Sequence, residues 1–541
     1  MARDTRGSGL DVHPVVFFGS TGIIVLVLVL SVVATDAVGS FFDAVQRGIV
    51  EKLGWLYVLS MTGILVFAVW LTRSRFGAIR LGPDDSKPEF STPTWFAMLF
   101  SAGMGIGLLF FGVAEPIMHY GAPPIGEGHT LEAARNAMGL TLFHWGLHPW
   151  ALYAVVGLSI GYFGFRRGLP LSIRSTFHPL LGERIHGRLG DAIDILAVVS
   201  TLFGVATSLG LGAMQVNAGL HHVAGLPEST GAQVAIITII TVLATASVIS
   251  GLGAGVRRLS ELNMGLATLL LLFVAVVGPT AFLFNAFVEN IGTYLQYLPR
   301  NSFLTTSFEG PQRRAWLGLW TVFYWAWWIA WAPFVGMFIA RISKGRTIRE
   351  FLVAVLLGPT LAGFVWLTVF GDTALHQEIY GAGGISEAVS SSLPTAVFVV
   401  LERYPLATLT GIVCTLCIVL FFVTSSDSAS LVVDMIASGG KQDPPVGQRI
   451  FWALLEGVVA AVLLIAGGLT ALQTAAITTA VPFCLIVIAM CVALVRGLRG
   501  DPAVEQPGEP AARAGAGGED GLTAAPPAAA APAPRDPRAS R

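Results

Sequence analysis

Trp320-Thr321-Val322-Phe323-Tyr324-Trp325-Ala326-Trp327-Trp328-Ile329-Ala330-Trp331 sets five tryptophans and a tyrosine within an otherwise apolar run. That run extends over 316–340, and about 20 apolar residues cross a bilayer core as a helix. Trp327 and Trp328 then lie near its midpoint, about 15 Å from either interface by helical rise. The usual belt of interfacial tryptophans does not account for indoles at that depth. Tyr324, Trp327, Trp328 and Trp331 share about 100° of helix surface. Converging indole and phenol faces suit a quaternary ammonium, which donates no hydrogen bonds but is drawn to the ring quadrupole. An aromatic cage inside a membrane is the reading this stretch favours.

The rest of the chain agrees with a membrane setting. Hydrophobic residues make up 54% of the 541 residues and charged residues only 12%, about half the share in soluble proteins. Mean hydropathy is +0.72. A net charge of −1 gives no basis for nucleic-acid binding. Hydropathy predicts an all-α integral membrane protein with twelve spans: 14–35, 53–72, 94–117, 138–165, 192–219, 232–251, 262–288, 316–340, 351–371, 405–437, 447–467 and 471–495. Residues 1–13 form a short N-terminus, 14–497 the membrane domain, and 498–541 an Ala-, Pro- and Gly-rich tail expected to be disordered. Arg166, Arg167, Arg174, Arg184 and Arg188 crowd one loop, and the positive-inside bias puts both termini in the cytoplasm. The segments 288–303 and 393–404 read as interfacial helices. Cys414, Cys417, Cys484 and Cys491 all lie in apolar runs, so buried inert thiols are expected rather than a metal or redox pair.

Three further clusters bear on chemistry. Span 3 carries Gly103, Gly105 and Gly107 at alternate positions, which permits local unwinding. Unwound backbone survives at bilayer depth only where it lines a protein cavity. Close helix packing by small residues explains the same glycines equally well. Span 4 holds Trp145, Trp150 and Tyr153 within about 140° of one helix surface, with Pro149 expected to kink it. Span 10 holds Thr424, Ser425, Ser426, Asp427, Ser428 and Ser430, hard oxygen donors that suit Na⁺ or bond back to their own helix. His144, His148 and Glu456 read as packed polar groups.

The span-8 string resembles the signature of the betaine/choline/carnitine transporter family, departing from it only at Leu319. The span-3 glycines, the Trp145/Trp150/Tyr153 set and Thr424-Ser425 stand where that family has its motifs. The resemblance runs from span 3 to span 10. It implies a leucine-transporter-like fold, with inverted five-helix repeats at about 94–288 and 316–495, two extra helices in front, and a homotrimer. It implies that Trp327, Trp328 and Trp331 cage an ammonium and that Trp145, Trp150 and Tyr153 line its route. Phe110 would be an aromatic gate, and Gly107 would face the substrate. Ser101, Met104 and Phe421 carbonyls with Thr424 and Ser425 hydroxyls would hold Na⁺, the only cofactor-like partner. Choline-selective relatives tend to carry Asp where this chain has Gly107, so a zwitterion is expected. Val205 stands where a second sodium site has Thr. The expected function is sodium-coupled import of glycine betaine or a similar compatible solute across the cell membrane. Alternatives are a proton-coupled choline transporter, a carnitine-type exchanger and, from another class, a ligand-binding receptor or channel. No enzyme is expected, because no assembled nucleophile, metal or redox constellation is visible.

Overall fold

A computed structural model describes residues 11–103, 105–250 and 257–505. Among them the protein is all-helical, with one isolated bridge between Arg80 and Thr347 and no strand. The first half comprises α1 (Pro14–Val33), α2 (Thr35–Arg73), α3 (Thr92–Gly103), α4 (Ile106–Gly121), α5 (Leu131–Trp145) and α6 (Leu147–Gly161). It continues through α7 (His178–Leu181), α8 (Arg188–Ala224), α9 (Thr230–Ser250), α10 (Arg257–Val277) and α11 (Thr280–Asn301). The second half comprises α12 (Pro311–Leu317), α13 (Phe323–Ile342), α14 (Ile348–Leu367), α15 (Thr373–Tyr380) and α16 (Ile385–Ser391). It ends with α17 (Ala396–Glu402), α18 (Ala407–Ala437), α19 (Val446–Arg499) and α20 (Pro502–Glu505).

Nine of the described helices are long and apolar enough to cross a membrane; this is a multi-span membrane protein. The sequence expectation differs from the structure where helices break or continue. Expected span 3 is divided between α3 and α4, and expected span 4 between α5 and α6. Expected span 7, drawn to residue 288, stops at Val277 because Gly278 and Pro279 follow. Proline supplies no N–H, and its ring disfavours helix in the residue before it. Conversely, the last two expected spans share α19, bent where Gly467 and Gly468 leave helical geometry; Gly468 has φ +59° and ψ −139°, which favours glycine. Of the segments expected at the interface, 288–301 falls in α11 and 393–404 contains α17.

α8 is the central post. It packs against α9, α13, α18 and α19, and its residues from Ala197 to Ala213 are buried on every side. Such all-round apolarity is what a helix surrounded by other helices requires. At the periphery, Leu262, Leu269, Leu272 and Val276 of α10 are exposed, as suits a helix flank bathed in lipid rather than water.

The residues assigned by sequence to the start of the tail are structured. Residues 506–541 lie outside the described residues, but Asp501 is fully buried between α19 and α20. Arg166 grips it in a two-pronged ion pair, both contacts at 2.6 Å, and also reaches Asp84 at 2.6 Å and the Gly82 carbonyl at 3.1 Å. The Tyr162 hydroxyl lies 2.9 Å from the same carboxylate. One arginine thus ties the end of α19, the end of α6 and the α2–α3 connection together. Burial alone would raise the Asp501 carboxyl, but the Arg166 guanidinium, the Ala503 amide and the Tyr162 hydroxyl outweigh it and hold it below the ordinary carboxylate range. A group depressed in this way contributes stability above its unfolded value, about pH 4, and loses it as the pH falls through the folded one. Arg166→Ala should therefore cost about 3 kcal/mol at neutral pH by leaving a buried charge uncompensated. The gap to wild type should close as the pH falls below about 4. Thermal unfolding of the solubilised protein over a pH series checks this; a pH-independent gap would contradict it.

Candidate substrate site

The site is built where two helices break. α3 ends at Gly103 and α4 starts at Ile106, with Gly105 extended between them at φ −147°. Met104 and the side chain of Ser101 lie outside the described residues, and the backbone of Ser101 falls within α3. α5 ends at Trp145 and α6 starts at Leu147, with Gly146 out of helical geometry. The expected kink at Pro149 is corrected to Gly146. Pro149 falls in the first turn of α6, where helices lack N–H partners and proline costs nothing. A Cβ on Gly146 would sit 2.6 Å from the Leu142 carbonyl oxygen and 2.8 Å from the Tyr294 hydroxyl.

Side chains take up the polar groups that this break frees. The Leu147 N–H donates to the Tyr294 hydroxyl at 3.0 Å, and the His144 carbonyl accepts from the Trp328 indole at 3.0 Å. Tyr294, expected on the membrane surface, is instead buried as the cap of this break.

Around the breaks the aromatic rings converge. Trp327 and Trp328 stack with centroids 4.8 Å apart and planes 12° apart. Trp145 stands edge-on to Trp328 at 4.9 Å and to Trp327 at 6.3 Å. Tyr153 lies 6.5 Å from Trp328, and Trp150 5.5 Å from Tyr153. A Cβ on Gly107 would stand 2.7 Å from Trp145 and 2.8 Å from Trp327, so Gly107 forms one wall of the box. Five of the expected residues, with Gly107, thus form one connected set. Two do not join it. Trp331 packs on Phe334 at 5.5 Å and against Gly204 of α8. Phe110 is fully buried against Phe111 at 4.8 Å, and it is Phe111 that meets Tyr324 at 5.4 Å and Trp327 at 6.0 Å.

On α18, Phe421 lines a small apolar cavity of about 20 Å³ together with Gly105, Leu108 and Trp366. The Thr424 hydroxyl bonds back to the Leu420 carbonyl at 2.9 Å, and Ser425 is half-buried. The Tyr153 hydroxyl, the Trp331 indole N–H and the Ser200 and Thr201 hydroxyls are buried with no partner among the described residues. Val205 is buried and offers no oxygen ligand from its side chain.

Sequence reasoning missed the polar centre behind the box. Glu115 of α4 is fully buried. One of its carboxylate oxygens faces His144 Nδ1 at 2.6 Å and His119 Nε2 at 3.2 Å. The other accepts from the Trp145 indole at 2.9 Å and the Tyr324 hydroxyl at 2.5 Å. His144 Nε2 meets the Thr321 hydroxyl at 3.0 Å. Trp316, which the span boundaries place near an interface, is buried against His119 at 5.2 Å. The available signal was an acid in an apolar run with a histidine four residues on, and an intramembrane acid is functional by default. Glu115, His119 and His144 bring three ligand atoms within 4.8 Å of one another. Each carboxylate oxygen already has two hydrogen-bond partners, and His119 Nδ1 is the one nitrogen of these three residues with no partner among the described residues.

Broken apolar helices around an aromatic box describe a membrane protein whose interior gathers π faces, the chemistry that attracts organic cations. The description betaine/carnitine/choline family transporter matches residues 15–503, and the chain belongs to that family. It is 50% identical over 499 residues to an uncharacterized transporter of Mycobacterium tuberculosis, covering 91% of this chain and 83% of the other. A glycine betaine transporter of Bacillus subtilis is 46% identical over 468 residues, covering 86% and 91%. A glycine betaine/proline/choline transporter of Vibrio parahaemolyticus is 44% identical over 511 residues, 91% of each chain.

The geometry separates two glycines that the sequence treats alike. Gly105 is extended, a conformation any residue adopts, and a Cβ there meets nothing within 4 Å. Gly107→Ala drives a methyl into Trp145 and Trp327. Uptake should therefore survive Gly105→Ala within about threefold, whereas Gly107→Ala should lower uptake at least about tenfold, the equivalent of 1.4 kcal/mol of overlap. Radiolabelled uptake by cells expressing each variant at matched levels checks the contrast.

Proposed function

We propose that the protein imports a zwitterionic quaternary-ammonium solute, glycine betaine foremost, by sodium symport with alternating access. The observation that carries this reading is the box itself. Trp145, Trp327, Trp328 and Tyr153 present π faces at bilayer depth, and a trimethylammonium gains about 2 kcal/mol or more from a desolvated ring face. The N-terminus of α4 begins beside the box at Ile106, and half-helix N-termini favour anionic substrate groups through their free N–H groups. A zwitterion fits both features, its ammonium on the rings and its carboxylate towards α4. Gly107 adds no acid to the wall, which favours a substrate carrying its own negative charge over choline. The betaine transporters among the relatives support the same substrate class.

The rest of the proposal extends that core. Twelve spans result when α3–α4 and α5–α6 each count as one broken crossing and α19 as two around its glycine bend. The inverted repeats at about 94–288 and 316–495, the homotrimer and the cytoplasmic termini belong to this proposal. Phe421, Thr424 and Ser425, with Ser101 and Met104, are the proposed sodium ligands. Phe421 shares its cavity with Gly105 of the span-3 break, which supports pairing those two segments around an ion. Compatible-solute accumulation against osmotic stress is the proposed physiological use.

Purified protein in proteoliposomes tests the reading directly. An inward sodium gradient should drive electrogenic uptake of labelled glycine betaine, with choline a poor competitor. Uptake driven by a proton gradient in sodium-free buffer would overturn the coupling. Trp328→Leu should raise the apparent KM about tenfold or more, since a lost cation–π contact of about 2 kcal/mol exceeds the 1.4 kcal/mol of one decade. An unchanged KM would remove Trp328 from the substrate site.

A further inference from the structure

We propose that Glu115 is a positioning and specificity residue: it supplies the fixed negative charge that makes the aromatic box prefer a cationic head group, acting through Trp145 and Tyr324 rather than by touching substrate. The inference rests on the box being the ammonium site.

Hydrogen-bond bookkeeping fixes the charge. All four neighbours of the carboxylate can donate: the His119 and His144 ring N–H groups, the Trp145 indole and the Tyr324 hydroxyl. Four donors fill the acceptor capacity of an ionised carboxylate and leave no place for a proton on it. Neutral histidines leave that charge uncancelled. His119 Nδ1 is buried without a partner, and a protonated ring would strand an N–H there. His144 Nε2 lies 3.0 Å from the Thr321 hydroxyl; with that hydroxyl donating, the nitrogen is bare, both rings are neutral and one negative charge remains.

No lysine or arginine is paired with Glu115 among its contacts. A lone charge at this depth is costly, unless something cationic shares the low-dielectric space. The two donors on its second oxygen lead straight into the box. Trp145 stands 4.9 Å from Trp328, and Tyr324 lies 5.8 Å from Trp328 and 5.6 Å from Trp145. An indole N–H and a phenol O–H bonded to a carboxylate are polarised toward it, which enriches the ring faces that meet a cation. The charge itself lies one ring's width behind those faces, where Coulomb attraction is screened far less than in water.

Glu115→Gln separates charge from geometry. The amide oxygen can still accept from Trp145 and Tyr324, and its NH₂ can donate to His144 Nδ1 and His119 Nε2 if both rings exchange tautomers. His144 Nε2–H then donates to Thr321. The experiment measures binding of glycine betaine and of 3,3-dimethylbutanoate to the purified transporter by calorimetry. The second ligand has the same shape with carbon in place of the ammonium nitrogen. Glu115→Gln should weaken betaine binding about tenfold while leaving the neutral-headed analogue within about twofold. Equal losses for both ligands, or no loss for betaine, would overturn the charge role. Glu115→Asp, which keeps the charge, should retain the betaine preference even if both affinities fall; losing that preference would also overturn it. A wild-type protein that binds neither ligand would sink the substrate reading and this inference with it, an outcome distinct from betaine binding that ignores Glu115.

Discussion

A helix can break inside a membrane only if its freed backbone groups find partners within the protein, and that constraint organises this site. The α5–α6 break exposes the His144 carbonyl and the Leu147 N–H. Trp328 takes the first and Tyr294 the second. Trp328 is also one face of the aromatic box, so one indole both satisfies the break and lines the box. Two carbonyls in the first turn of α4 take side-chain donors in addition to their partners within the helix. Its Leu109 carbonyl accepts from Gln215 of α8 at 2.8 Å, and its Leu108 carbonyl from Trp366 of α14 at 3.3 Å. Backbone satisfaction and ring placement are one problem here with one solution.

Buried charge follows a different rule at the edges of the structure from that at its centre. Arg174 is paired with Asp191 at 2.8 Å and Asp194 at 2.5 Å, Arg449 with Asp427 at 3.0 Å, and Arg166 with Asp501. Each is an acid neutralised by a guanidinium whose fork matches a carboxylate. Glu115 has no guanidinium among its partners, which are His119, His144, Trp145 and Tyr324; Glu456, bonded to Ser426, is held in the same manner. A pair such as Arg166–Asp501 fixes chain segments against one another, whereas the Glu115 carboxylate gathers ring N–H and O–H donors from α4, α5 and α13.

The helical class and the aromatic motif were legible because both are written in local pattern: long apolar runs, and indoles at mid-span. The position of Gly146 was not. Proline is the stronger breaker in sequence, so Pro149 drew the prediction, yet in the first turn of a helix it breaks nothing. Gly146 is revealed only by the Tyr294 hydroxyl and Leu142 carbonyl that crowd it, and Tyr294 is 148 positions away in sequence. Phe110 and Phe111 are neighbours that no periodicity argument distinguishes; the turn α4 takes after its break decides which one meets Tyr324. Glu115 was missed for a similar reason. Its meaning comes from His144, Trp145 and Tyr324, which the fold brings to α4 from two other helices, α5 and α13.

The rings of the box touch one another, but they are held in different ways. Trp327 and Trp328 belong to α13, which packs along α6 and α19, so their stack is fixed by a long interface. Trp145 is the terminal residue of α5, immediately before Gly146, and it does not share that interface. Trp145 is the wall that adjoins a break in the backbone. Its indole is tethered to Glu115 on α4 at 2.9 Å, and α5 packs against α4, α11 and α14. The two helix breaks, at Gly105 and Gly146, are therefore linked, because α4 and α5 are joined through Glu115, His144 and Trp145 while α13 holds the facing rings.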